Sequence, residues 1–100
     1  MAEPYERVNY DFGAADRLAS ALTAAADRTH SVIAQRQAER SRQLGEAPGL
    51  SWNGRHRRDF ERDFTRQQKA LMALEQDLRD VLRVLNRTTE QAHDASLRHH

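Results

Sequence analysis

Histidine and acidic residues are the side chains in this sequence that could bind a metal or transfer protons. A zinc site of the His-Glu-x-x-His kind needs two histidines four residues apart on one helix. No pair of histidines has that spacing, and we assign no role to the terminal pair; the five are His30, His56, His93, His99 and His100. Only four glycines are present, and none forms a phosphate-binding loop. The sequence therefore predicts no metal, no cofactor and no enzymatic activity.

The densest group of charges lies in residues 55–66, where three acidic residues interrupt five arginines. Arg55 and Asp59 stand four residues apart, as do Arg57 and Glu61, so a helix would match much of this charge internally. The net charge of +1 creates no strong field. These observations favour a solvated, salt-bridged face, leave a partner-docking patch as an alternative, and predict no nucleic-acid binding.

The composition predicts one small domain, residues 1–100, that needs a partner chain. The sequence is 38% hydrophobic and 31% charged, which is little core-forming material for this length. It has no cysteine, so neither a disulfide nor a thiolate metal site can form. No stretch has the roughly 18 apolar residues of a membrane span, and the N-terminus lacks the apolar run of a cleaved secretory signal. We expect no membrane insertion and, if the protein is exported, another route.

Residues 12–44 are predicted to form the first helix. Asp11 is the expected N-cap, because its carboxylate can accept from the free N–H groups of the first turn. Val8 and Tyr10, just before it, alternate and can lie against the hairpin. The apolar residues recur every three or four positions and share one face. That face is rich in alanine and buries little area, so it needs a bulkier partner. Gly45 is the residue expected just past the helix end.

Residues 45–53 are predicted to form a turn, because glycine and proline are frequent there, and residues 54–95 to form the second helix. Ser51 or Asn53 can cap this helix. Its apolar residues alternate between spacings of four and three, as in a coiled-coil seam facing the first helix. The predicted seam contains Phe60, Phe64, Gln67, Leu71, Leu74, Leu78, Val81, Leu85, Thr88, Ala92 and Ala95.

The two helices are predicted to form an all-α antiparallel hairpin, an elongated rod with one shared seam. The outer flank of such a rod stays exposed unless a second hairpin covers it, and a four-helix bundle is the common solution. We therefore predict a homodimer or heterodimer. The predicted dimer interface consists of Leu18, Leu22 and Ile33 from the first helix and Phe60, Phe64, Leu71, Leu74, Leu78, Val81 and Leu85 from the second.

The turn contains the only tryptophan, in the sequence Trp52-Asn53-Gly54. A tryptophan needs a large apolar surface and a partner for its ring N–H, so it suits an anchoring role as well as a structural plug of the hairpin end. A Trp-X-Gly turn at the centre of a hundred-residue chain of two helices resembles the WXG family of type VII (ESX) secretion proteins, which includes the early secreted antigenic target. The entry sequence at residues 8–12 and the long heptad helix extend the resemblance over the whole chain.

The resemblance implies a non-enzymatic secretion substrate or secretion partner. Family members are hairpins that pair antiparallel into four-helix bundles and pass folded through an ATPase-driven machine. Trp52 and Gly54 would form the family's turn, with Trp52 at the bundle end, where it can contact the partner or the machine. The implied partner is a WXG-like hairpin or the helical domain of a toxin. The implied location is cytoplasmic before export and secreted afterwards, without a cleaved signal peptide.

Two features depart from the family's pattern. Substrates often carry Tyr-x-x-x-Asp/Glu after the second helix, but the only tyrosines here are Tyr5 and Tyr10, and neither has an acidic residue four positions later. One subunit can supply this signal for both, so the chain would be the passenger half of a heterodimer or a toxin's companion. His56 stands where many members have a small residue. The alternative function is a cytosolic helical adaptor that docks a partner unrelated to secretion.

Overall fold

The computed structural model describes residues 9–46 and 54–98, and the side chains of residues 9–43 and 54–98. Two helices, α1 (Phe12–Glu46) and α2 (Gly54–Arg98), pack against each other as an antiparallel hairpin. The molecule measures 74 × 20 × 15 Å, with a radius of gyration of 22.3 Å against about 13 Å for a compact domain of this length. The predicted all-α, elongated hairpin is therefore confirmed.

The N-cap of α1 forms as predicted. The Asp11 carboxylate accepts a hydrogen bond of 2.8 Å from the backbone N–H of Ala14, and the Asp11 carbonyl accepts one of 3.0 Å from Ala15. The helix continues one residue beyond Gly45, which was expected to lie past its end. Its last three turns are rich in Ala, Arg, Gln and Glu, whose helix propensity is high enough to extend the helix without an apolar face.

The second helix ends at Arg98, three residues later than predicted. Gly54 of the Trp-X-Gly motif is its first residue. The caps expected from Ser51 or Asn53, the side of the hairpin expected for Val8, and the turn position expected for Trp52 all lie outside the described residues.

The hairpin seam is the row of side chains along which α1 and α2 pack, and in both helices it follows the alternating three–four spacing of a coiled coil. All of these side chains are buried or half-buried; Ala26 is fully buried, and Ala15, Phe64 and Gln68 are less than 9% exposed. On α1 the seam consists of Phe12, Ala15, Ala19, Leu22, Ala26, Thr29, Ile33, Arg36 and Arg40. On α2 it consists of Glu61, Phe64, Gln68, Leu71, Glu75, Leu78, Leu82, Leu85, Thr89 and Ala92.

The hairpin seam of α2 is rotated relative to the predicted one. Phe64, Leu71, Leu78, Leu85 and Ala92 belong to both. Leu74 and Val81, predicted to face α1, are instead 48% and 52% exposed. Residues one position later, among them Glu75 and Leu82, take their places. The physical reason is that Glu61, Gln68 and Glu75 have polar partners on α1. Satisfying these groups turns part of the apolar stripe outward.

Candidate interaction face

Five of the seven exposed large apolar side chains in the described residues lie on one side of the hairpin seam. Leu18 and Val32 of α1, and Leu74 and Val81 of α2, each precede a seam residue by four positions. Val84 precedes the seam residue Leu85 by one. On an α-helix, the residue four positions before a seam residue and the residue one position before it both lie on the same side of that seam residue.

These rows from α1 and α2 share one face of the hairpin. The two helices run antiparallel, so an approximate two-fold axis normal to that face relates α1 to α2. Residues that precede a seam residue by the same number of positions therefore lie on the same face of the hairpin, whichever helix they belong to. One groove of about 410 Å³ illustrates this geometry. It is lined by Glu39 of α1, one position before the seam residue Arg40, together with Phe60 and Gln67 of α2, each four positions before a seam residue. The apolar face is hereafter the surface formed by Leu18, Ala25, Val32, Leu74, Val81 and Val84.

The opposite side, the polar face, carries cross-helix charge contacts. Arg79 of α2 lies 3.4 Å from the Asp27 carboxylate of α1 and 2.9 Å from Glu75, which in turn lies 3.2 Å from His30 Nδ1. The hydrogen bond from Arg79, assisted by His30, holds the pKa of Glu75 below its ordinary value and raises the pKa of Arg79. Met72 and Leu97 are the two exposed large apolar side chains of the described residues that lie off the apolar side.

Gln68 is the buried polar residue at the half of the hairpin nearer the turn, within the described part of the chain. Its amide nitrogen donates a hydrogen bond of 3.0 Å to the backbone carbonyl of Ile33, and its amide oxygen accepts one of 2.9 Å from Arg36 Nε. Arg36 also donates to the exposed Gln67. Both polar atoms of the buried Gln68 amide are thus hydrogen-bonded, and they join α2 to Ile33 and Arg36, two successive seam residues of α1.

Arg40 and Glu61 form the cross-helix pair nearest the turn. Arg40 Nε donates a hydrogen bond of 2.7 Å to the Glu61 carboxylate, which holds the pKa of Glu61 below its ordinary value and raises the pKa of Arg40. The guanidinium carbons of Arg36 and Arg40 lie 5.3 and 5.6 Å from the centre of the Phe64 ring, within cation–π range. This half of the hairpin is therefore held by arginine contacts as well as by apolar packing.

The charged run at residues 55–66 differs in detail from the sequence prediction. Glu61 pairs with Arg40 across the hairpin rather than with Arg57 within its helix, and Arg57 makes only the weakest contribution to its lowered pKa. Asp59 lies 3.5 Å from Arg62. The Glu61 carboxylate points into the seam, so it reaches Arg40 on the other helix more readily than Arg57, one turn away on its own helix. The sequence pattern does not show which face of the helix Glu61 occupies.

Aromatic side chains close the end of the hairpin away from the turn. The hydroxyls of Tyr10 and Thr89 share a hydrogen bond of 2.8 Å. The ring of Phe12 packs edge-on against Tyr10 and His93, at centroid distances of 5.0 and 5.5 Å. The prediction that Tyr10 lies against the hairpin is confirmed.

Nine of the ten predicted dimer-interface residues belong to the hairpin seam or to the apolar face, and Phe60 belongs to neither. Phe64 is buried in the hairpin seam, and Leu18, Leu74 and Val81 are exposed on the apolar face. The other six are half-buried; they are Leu22, Ile33, Phe60, Leu71, Leu78 and Leu85. Val84, which also lies on the apolar face and directly precedes Leu85, was not among the predicted residues.

Two classes of site are not found in the described residues. Residues 9–46 and 54–98 contain no group of three His, Asp or Glu side chains placed to hold a metal ion. Within the same ranges, neither helix has a segment apolar enough to cross a membrane. The geometry instead defines a helical hairpin with one apolar and one polar face.

Comparison of the chain with protein-family models, with curated proteins and with solved structures found no match.

Proposed function

We propose that this protein is a non-enzymatic substrate or secretion partner of a type VII (ESX) secretion system, acting as one half of a helical dimer with a WXG-like hairpin. The observation that carries the proposal is the apolar face. It supports a partner that is itself an amphipathic hairpin, because a second rod of the same kind has the length and the apolar stripe needed to cover it.

The extent of exposed surface supports the need for a partner. The chain exposes 7680 Å², against roughly 5,800 Å² expected for a compact monomer of this mass. A standard protein interface removes about 800 Å² from each partner, so the excess is large enough to supply one. Isolated exposed apolar residues are ordinary, but rows of Leu and Val on one side of a rod are typical of an interface.

The link to secretion rests on the position of Trp52-Asn53-Gly54 between α1 and α2, together with the resemblance of the whole chain to the WXG pattern. Machinery that accepts folded helical dimers needs a feature to bind at their exposed end. A tryptophan suits this purpose because truncating such an anchor commonly costs 2 kcal/mol or more at an interface.

An export assay in the native host tests the proposal. The expected result is that the protein accumulates in culture supernatant, and that deletion of the system's membrane ATPase retains it in the cells. A cytosolic marker protein controls for lysis. Retention in wild-type cells, together with purification in a stable complex with a protein unrelated to secretion, would instead favour a cytosolic helical adaptor.

Replacing Trp52 separates recognition from folding. Trp52→Ala is expected to leave the helical circular dichroism spectrum and the dimer nearly intact, because the residue lies in sequence outside the seam and the apolar face, while export fails. Trp52→Phe is the matched variant and should retain part of the export. If Trp52→Ala melts far below wild type while the folded fraction is exported normally, Trp52 is a structural plug and its recognition role is wrong.

Gly54 offers a second variant of the motif. Among the described residues, a Cβ added at Gly54 would meet the Arg58 guanidinium at 3.4 Å, which is ordinary contact with the flexible end of a side chain. Gly54→Ala should therefore fold as wild type does. Loss of export in this variant would indicate that the glycine itself is read by the machinery, and unchanged export would limit recognition to Trp52.

A further inference from the structure

We infer that a second copy of this chain covers the apolar face, stacked in the same direction, so that the two turn ends lie side by side. This inference rests on the proposed helical dimer and identifies its partner and orientation. It departs from the antiparallel pairing of hairpins that the family resemblance implies. Charges along the two edges of the apolar face carry the argument.

Each edge of the apolar face is a row of residues spaced seven apart. On α1 this row directly precedes the seam residues Ala15, Leu22, Thr29 and Arg36, and on α2 it directly precedes Phe64, Leu71, Leu78, Leu85 and Ala92. On α1 this edge is Ala14, Ala21, Arg28, Gln35 and Arg42; on α2 it is Asp63, Ala70, Asp77, Val84 and Gln91. The charged residues of the α1 edge are both basic, and those of the α2 edge are both acidic.

Arg28 and Asp77 stand at the same height on the hairpin. Asp27, next to Arg28, lies 3.4 Å from Arg79, and His30 lies 3.2 Å from Glu75. Both Arg28 and Asp77 are exposed, and neither side chain forms a hydrogen bond or ion pair with another described residue. These opposite charges, on opposite edges and at one height, are therefore available to a partner.

A second copy can stack on this face in two symmetric ways. In the same-direction arrangement the two-fold axis runs along the rod, and α1 of one copy lies over α2 of the other. Arg28 then meets Asp77 of the second copy, and the symmetry repeats this pair on the other edge. Arg42 and Asp63, which lie within about one turn of each other in height, are also of opposite charge, but each already has a charged neighbour on its own helix, Glu39 for Arg42 and Arg62 for Asp63. The pair of Arg28 and Asp77 therefore carries the argument.

The reversed arrangement stacks α1 on α1 and α2 on α2. Each edge then faces its own copy, so Arg28 approaches Arg28 and Asp77 approaches Asp77 near the middle of the apolar face. Like charges placed opposite each other disfavour an interface, and opposite charges select the register. The apolar rows fit either arrangement, so the edge charges decide the direction.

Spin-label distances test this direction. The chain has no cysteine, so Arg58→Cys places one label on each copy near the turn end of the polar face. The same-direction dimer predicts about 30 Å between labels, because the labels stand at one height on opposite sides of two helix layers of about 10 Å each. The reversed dimer predicts about 60 Å, because each label then also lies about 28 Å along the rod from its middle, at about 1.5 Å per residue. Ser20→Cys, about 12 Å along the rod from Arg28, is the matched control and gives less than about 40 Å in either arrangement.

Charge exchange provides an independent test. Arg28→Asp or Asp77→Arg alone places like charges at both symmetric positions and should weaken the dimer about tenfold at low salt. The double variant restores opposite charges and should recover most of the affinity. Arg66→Asp, on the outer side of α2, is the matched control and should change the affinity less than threefold.

The inference is overturned if the Arg58 labels lie about 60 Å apart, if the double variant is weaker than either single one, or if the purified chain stays monomeric at high micromolar concentration. The last result is distinguishable from failure of the proposed function. A monomer that still pairs with another WXG-like hairpin and is exported retains that function and excludes only the second copy as partner.

Discussion

Gln68 offers the sharpest test of how the half of the hairpin nearer the turn is held together. Gln68→Ala removes the hydrogen bond to the Ile33 carbonyl and the one accepted from Arg36. A neutral hydrogen bond contributes about 1 kcal/mol, and a half-exposed one from a charged donor contributes a similar amount. The buried side-chain carbons add up to about 1 kcal/mol. We expect the free energy of unfolding to fall by about 2 to 3 kcal/mol.

Two further variants divide this loss into its causes. Gln68→Met keeps the length and apolar volume but removes both hydrogen bonds, so it should lose about 1 to 2 kcal/mol. Gln67→Ala is the matched control, since Gln67 also accepts from Arg36 but is exposed. It should lose less than about 0.5 kcal/mol, as exposed contacts usually do.

Urea unfolding followed by circular dichroism measures all three variants. The protein concentration must be held constant, because association makes apparent stability depend on concentration. A Gln68→Ala loss no larger than that of Gln67→Ala would refute the reasoning, since it would mean that the buried amide does not join the helices. An altered slope with denaturant would indicate a change in the unfolded or native ensemble instead.

Three other outcomes follow from the same contacts. Leu78→Ala should lower the free energy of unfolding by roughly 2–4 kcal/mol as a large-to-small core change. A loss below about 0.5 kcal/mol would mean that Leu78 does not pack in the seam. Leu74→Ala should lower the free energy of unfolding by more than about 1 kcal/mol in the dimer and by less than about 0.5 kcal/mol in the monomer. Urea unfolding at protein concentrations above and below the dissociation constant of the dimer measures the two values. The lowered pKa values of Glu61 and Glu75 stabilise the hairpin fully above the ordinary glutamate value of 4.5, and this stabilisation is lost as pH falls through the lowered values. Urea midpoints should therefore drop between pH 7 and pH 3, and Glu61→Gln, which cannot pair as a carboxylate with Arg40, should show a smaller drop.

The two helices and their antiparallel packing were predictable because each depends on local signals. The N-cap at Asp11, the apolar repeat and the glycine- and proline-rich connection all predict the same hairpin. The end of α1 was less predictable, because its final polar turns contain good helix formers on both sides of Gly45. Propensity there outweighs the usual stop signal of a glycine.

The polar half of the seam was not predictable from the sequence. Gln68 and Glu61 look like solvated residues in a helix that is rich in charge. Their burial depends on arginines more than twenty residues away on α1, at Arg36 and Arg40. A periodicity of apolar residues records nothing about such long-range pairs, so it assigns these positions to the surface.

The rotation of the predicted seam has a physical meaning. The position of an apolar stripe on a helix depends on all the apolar contacts of that helix, both within its own chain and with a partner chain. The stripe of α2 is centred on Leu71, Leu78 and Leu85, the row of seam residues that lies nearer the apolar face. A helix that packed only against α1 would have its apolar centre midway between the two rows of its seam. The displacement toward Leu74 and Val81 therefore argues that the sequence of α2 is suited to two neighbours, of which the hairpin supplies one.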